Sequence, residues 1–267
     1  MNIFIINKKK IYILIFLIII FFIVLYIFFN KYLKNSIQAS SDVNNDLQTS
    51  LDALFNSKEK VAYLTFDDGP TKSATPKILD ILKEEDVKAS FFVIGKYVKN
   101  HPDIVKRAYK EGHYIANHGY NHNNSILYKN NESFLNEIRN TDIEISKAIG
   151  IDNYCSHIFR FPNGYSSSIY KSQKKEAVKL LHSIDYAYID WNCLNKDSEI
   201  HYSQNQLLNN FKKSSKNKDT LIVLMHDTTD VSDSSSVLKD TILYLKNQGY
   251  IFKNFYNWTN RKAICFY

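Results

Sequence analysis

Cysteine and glycine are scarce in this chain, and repeats are absent. Three cysteines, Cys155, Cys193 and Cys265, are scattered over 267 residues. An odd, sparse set is not a disulfide framework, and its spacing is not that of a zinc site. Cys155 is expected ahead of its strand and Cys193 behind its own, at opposite ends of a parallel sheet, which speaks against pairing them. Seven glycines argue against a low-complexity chain, and no solenoid or propeller period occurs. There is no basic stripe of the kind that reads nucleic acid, so none is expected as a partner. There is no His-Glu-x-x-His, which argues against a metalloprotease of that type.

What the chain does have is apolar substance, at 45% hydrophobic and 14% aromatic residues, and a formal charge of +7. The first suits a large core; the second fits work beside anionic lipids or anionic wall polymers. Residues 11–29 form an unbroken apolar run of the length that spans a bilayer, with lysines on both flanks. The run is too long for a cleaved signal peptide, so it reads as a signal anchor. Three parts are expected: a cytoplasmic tip and transmembrane helix over 1–30, a polar stalk over 31–58 that is partly helical around 47–55, and the main domain over 59–267.

From residue 61 the pattern alternates. Strands are expected at 61–66, 89–94, 114–116, 157–161, 186–189, 221–225 and 250–252. Helices are expected at 75–85, 102–111, 134–149, 168–182, 204–213 and 237–247. Strands alternating with long helices imply parallel β/α units. A doubly wound sheet would want a glycine-rich first turn; here that turn is acidic, Asp67-Asp68-Gly69-Pro70. The expected fold class is α/β, a distorted (β/α) barrel of about seven parallel strands, preceded by the transmembrane helix.

Polar clusters follow five of the strands: Asp67 and Asp68; His118 and His122; Arg160 and Pro162; Asp190 and Trp191; His226 and Asp227. In a barrel, the loops at the strand C-termini form one face, and active sites lie there. His118 and His122, four apart, would share one side of a helical turn. With one carboxylate they make a two-His, one-carboxylate metal site. The second carboxylate is then free to act as a base on water. His226 is a candidate general acid, Asp190 a candidate holder of its imidazole, and Arg160 of the base; a structural ion pair is the plainer alternative for Arg160 and Asp190.

These residues resemble the five motifs of the polysaccharide deacetylases, carbohydrate esterase family four: Thr65 to Pro70, His118 to His122, Arg160 to Gly164, Asp190-Trp191 and Leu224 to Asp227. The resemblance covers about residues 60–255 and implies a distorted barrel that removes acetyl groups from polysaccharides with a divalent metal: zinc first, with cobalt, nickel or iron as alternatives. Carried over, Asp67 is the base, and Asp68, His118 and His122 are the metal ligands. His226 is the acid, Arg160 the partner of Asp67, and Asp190 the partner of His226. Asn163 offers its backbone N–H to the oxyanion, while Trp191 and Leu224 wall the acetyl pocket. The chain departs from the motifs at Gly119, where a bracing hydroxyl is usual, so a looser site is expected, and at Asn163, where tyrosine is common.

The implied partner is a glycan polymer, foremost the N-acetylglucosamine of peptidoglycan. N-acetylmuramic acid, a chitooligosaccharide or an exported polysaccharide stay open, as does a catalytically silent glycan-binding protein. With the anchor, this implies a single-pass protein of the cell membrane whose catalytic domain lies outside the cytoplasm.

Overall fold

The computed structural model describes residues 8–228 and 234–257, with side chains described at 17–32 and from 47 onward. The chain divides into two units, Met1–Val43 and Asn44–Tyr267. Helix α1 (Lys8–Ala53) begins in the first. The predicted span, 11–29, falls in this helix, and its side chains at 11–16 lie outside the described residues. Among the described residues no helix is long and apolar enough to cross a membrane.

The second unit carries a parallel sheet with strands β1 (Val61–Asp67), β2 (Ser90–Val93), β3 (Tyr114–Asn117), β4 (Ile158–Phe159), β5 (Ala187–Tyr188), β6 (Cys193–Leu194), β7 (Thr220–His226) and β8 (Ile251–Phe252). The helices are α2 (Thr75–Glu84), α3 (Gly95–Asn100), α4 (Pro102–Lys110), α5 (Asn124–Leu127), α6 (Asn131–Ile149), α7 (Lys171–Ser183), α8 (Gln204–Ser215) and α9 (Ser235–Asn247). The strand order is β5-β4-β3-β2-β1-β7-β6, with β8 paired to the start of β1. The sheet's two edges, β5 and β6, are thus neighbours in sequence. Five residue steps from Tyr188 to Cys193 reach at most about 18 Å, whereas the edges of a flat seven-strand sheet lie about 29 Å apart. The sheet must therefore curl and bring its edges toward each other, an incompletely closed form of the distorted barrel that the alternation predicts. β6 is the strand that the prediction of seven lacks.

Side-chain alternation divides β1. Ala62, Leu64 and Phe66 pack outward into the core formed with the helices. Val61 and Tyr63 face inward with Phe92, Tyr114, Ile222 and Phe255. Thr65 and Asp67 continue that inner face, so the interior is apolar at the bottom and polar at the strand C-termini. The bottom is closed by Leu47 and Leu51 of α1 and by Leu54, all buried in the inner cluster. The amide of Gln48 meets the unpaired edge of β5: Tyr188 N donates to Oε1 (2.9 Å) and Nε2 donates to Tyr188 O (3.1 Å). The expected stalk thus ends before residue 58, because leucines at helical spacing give residues 47–54 an apolar face to bury. Cys193 is free and buried, whereas Cys155 is disulfide-bonded, so the two are not paired with each other, as their places at opposite strand ends predict.

Candidate active site

The inner face of β1 ends in an ion pair. Arg160, fully buried just after β4, donates from Nη1 to Asp67 Oδ1 (2.9 Å) and to Thr65 Oγ1 (2.7 Å). Its Nε donates to Ile189 O (3.0 Å), and its guanidinium lies 3.9 Å from the Phe92 ring centre. Thr65 and Asp67 are two residues apart on one strand face, so a single planar fork reaches both.

Asp68 leaves the strand with a φ of 77°, a left-handed conformation that is costly for a residue with a side chain. Its Oδ1 stands 3.4 Å from His118 Nε2 and 3.2 Å from His122 Nε2. The same oxygen is buried and makes no hydrogen bond. These atoms aim at a shared point rather than at one another. His118 Nδ1 faces the Arg160 carbonyl at 2.7 Å. A carbonyl only accepts, so Nδ1 carries the proton and Nε2 presents a lone pair. Donor atoms of Asp68, His118 and His122 all lie within 4.8 Å of one another. Tetrahedral zinc with arms of about 2.0–2.1 Å sets its ligands about 3.3 Å apart, so the residues fit a small divalent cation. The histidines are not on a helical turn, as their spacing predicts. Residues 118–122 form a loop, with Gly119 at φ 83° and His122 at φ 52°. The left-handed steps, not a helical period, bring the imidazoles to 5.0 Å between centres.

Electrostatics follow from this crowding. Burial works to raise the Asp68 pKa, but His118, His122 and His226 outweigh it and hold the carboxyl well below the ordinary range. Burial lowers His122. Burial also pulls His118 down, yet Asp67 and Asp68 leave it raised.

His226 ends β7 in register with Asp67. Its partner is not Asp190. Nδ1 meets Asp197 Oδ1 at 2.6 Å, and the His226 backbone N–H donates to Asp197 Oδ2 (2.8 Å). Burial alone would lower the imidazole, but the Asp197 contact raises it to about 9. Ser234 donates to Asp197 Oδ2 as well. Asp190 instead accepts from Tyr165 N (2.8 Å), Ser166 N (2.9 Å) and Ser166 Oγ (2.9 Å), pinning the loop after β4. The unforeseen β6 explains the exchange: it carries the chain across to β7, so Asp197 arrives beside His226 while Asp190 stays at the β5 end. The available signal was a second acid beyond Asp190-Trp191. Asp227, buried by the same strand end, is raised to about 7, chiefly by burial, and accepts from Thr75 Oγ1 (2.7 Å).

Of the predicted wall residues, Leu224 lies two residues before His226 and so on the same face of β7, opposite Thr65. Trp191 packs so closely over Gly164 that a Cβ there would come within 2.8 Å of its ring. Asn163 has a φ of 65°, and its side chain accepts from Asn124 Nδ2 (2.9 Å). A cavity of about 370 Å³ opens over Asp68 and His122 and is bounded by Lys96, Tyr97 and His101.

The polysaccharide deacetylase family model matches residues 56–188. A peptidoglycan-N-acetylglucosamine deacetylase of Bacillus cereus is 34% identical over 235 residues, covering 84% of this chain and 80% of that one. The peptidoglycan-N-acetylmuramic acid deacetylase PdaA of Bacillus subtilis is 32% identical over 213 residues, covering 79% and 76%. A solved Streptococcus mutans CE4 esterase matches with a TM-score of 0.69 at 28% identity, covering 78% of this chain and 90% of that one.

Proposed function

The chain belongs to the polysaccharide deacetylase family, a family of amide-bond hydrolases, and from that premise we propose that it removes N-acetyl groups from amino sugars of peptidoglycan, foremost N-acetylglucosamine. The observation that carries this is the meeting of three pairings at one end of the sheet: Asp67 with Arg160, Asp68 with two imidazoles, and His226 with Asp197.

Asp68, His118 and His122 would hold the metal, zinc first and cobalt, nickel or iron as alternatives, which when bound supplies Lewis-acid polarisation of the acetamide. Asp67, aligned by Arg160, takes a proton from the attacking water. The backbone N–H of Asn163 donates to the developing oxyanion. His226, protonated and with its Nδ1–H given to Asp197, delivers a proton from Nε2 to the leaving amine. A C–O bond forms, the C–N bond breaks, and acetate and a free amino sugar leave. An amide has a poor leaving group, so acid help is needed as much as a base. Leu224 and Trp191 border the space for the acetyl methyl.

The apolar run at 11–29 with its flanking lysines supports an anchor that keeps the catalytic unit outside the membrane, close to wall polymer. The relative that acts on N-acetylmuramic acid supports a second substrate reading. Acetate release from muropeptides N-acetylated on one sugar only separates the two: release from the glucosamine-acetylated form alone supports the first, and release from the muramic form alone supports the second.

A further inference from the structure

The loop at 118–122 carries two of the three donor residues, yet it has no regular secondary structure to occupy its backbone. Buried backbone groups need partners, and for residues 119–121 every one can be traced. Gly119 O accepts from Gly95 N (3.0 Å) and Tyr120 O from Lys96 N (3.1 Å). Asn121 O accepts from Lys96 Nζ (3.0 Å). His118 N donates to Val93 O (3.0 Å), and Gly119 N to Asn117 Oδ1 (2.9 Å). The amides of Tyr120 and Asn121 both donate to one carboxylate oxygen, Glu137 Oε2, at 2.9 and 2.8 Å. The Asn121 side chain donates to the other, Oε1, at 2.6 Å.

Glu137 lies on α6 and is 5% exposed. A buried carboxylate is costly without a compensating partner. Among the described residues no ion pair of Glu137 occurs, so three N–H groups of the histidine loop balance its charge. A Cβ on Gly119 would sit 3.6 Å from Glu137 Oε2. The carboxylate thus stands on the side of the loop that a side chain at 119 would face.

Building on the reading of Asp68, His118 and His122 as a metal centre, we propose that Glu137 is its positioning residue. By holding the Tyr120 and Asn121 amides, it fixes the direction in which His118 and His122 present their Nε2 atoms. The test uses Glu137→Ala and the space-filling Glu137→Gln. Zinc dissociation constants are measured by competition with a chromophoric chelator, beside circular dichroism and melting of the metal-free proteins. Glu137→Ala weakens zinc about 10- to 100-fold. Glu137→Gln, whose carbonyl still accepts both backbone amides, recovers part of the loss, and the cobalt(II) absorption spectrum changes with the alanine. Folded variants that both bind zinc as the unmutated chain does overturn the proposal while leaving the metal centre standing. If the alanine variant does not fold, the glutamine variant decides by the same measurement. An unmutated chain that binds no zinc overturns the metal centre itself and this proposal with it.

Discussion

Asp67 and His226 occupy paired positions on adjacent parallel strands, and each is held by an oppositely charged partner of its own. That arrangement keeps the proposed base and the proposed acid side by side without their neutralising each other. Asp67→Asn and His226→Ala should each lower acetate release by roughly 10²–10⁴-fold with metal content unchanged; turnover close to that of the unmutated enzyme would remove the role assigned. The Asp197 contact sets the pH response. In its proposed role His226 serves as an acid only while protonated, and its pKa is raised to about 9, so activity should fall as pH rises through that region. Asp197→Asn removes the raising charge and should move the alkaline limb down by roughly 1–3 units, read from a pH profile of acetate release. The sign for stability is the same. A raised histidine contributes in full below its ordinary pKa and loses that contribution as pH rises through about 9. Arg160→Ala strands a buried carboxylate and should cost about 3–5 kcal/mol in denaturant unfolding.

At the scale of elements, apolar runs made β1, β2, β3, β4 and β7 legible and helical periodicity most of the helices, and with them the strand ends where Asp67, Asp68, His118, Arg160 and His226 stand. What escaped the sequence is short or handed. β6 is two residues, Cys193–Leu194, inside a polar stretch, and missing it misassigned the partner of His226. The six-residue α3 is too short to show a helical period. The left-handed steps at Asp68 and His122 belong to loop backbone, which periodicity does not report. Leu47, Leu51 and Leu54 recur at helical spacing, but their partner is the inside of a barrel that local pattern cannot show. A chain begun at residue 59 should therefore be less stable than one begun at residue 44, by roughly 1.5–3 kcal/mol for each leucine lost. Equal melting temperatures for the two would show that the segment contributes nothing to the fold.

For the whole molecule, one curled sheet with a two-layered interior, apolar below and charged above, explains why residues from Asp67 to His226 converge. Closing the bottom with α1 leaves the charged end as the side open to a polymer, and the cavity over Asp68 and His122 lies there. In the proposed mechanism Asp68, His118 and His122 hold one divalent ion on which deacetylation depends. The most direct test is acetate release from an N-acetylated muropeptide by chelator-stripped enzyme titrated with zinc. The stripped enzyme should be silent and should recover with one equivalent per chain, while Asp68→Ala and His118→Ala should neither bind zinc nor recover. Full activity in the stripped enzyme, or zinc-restored activity in either variant, would rule out these three residues as the holders of an essential ion.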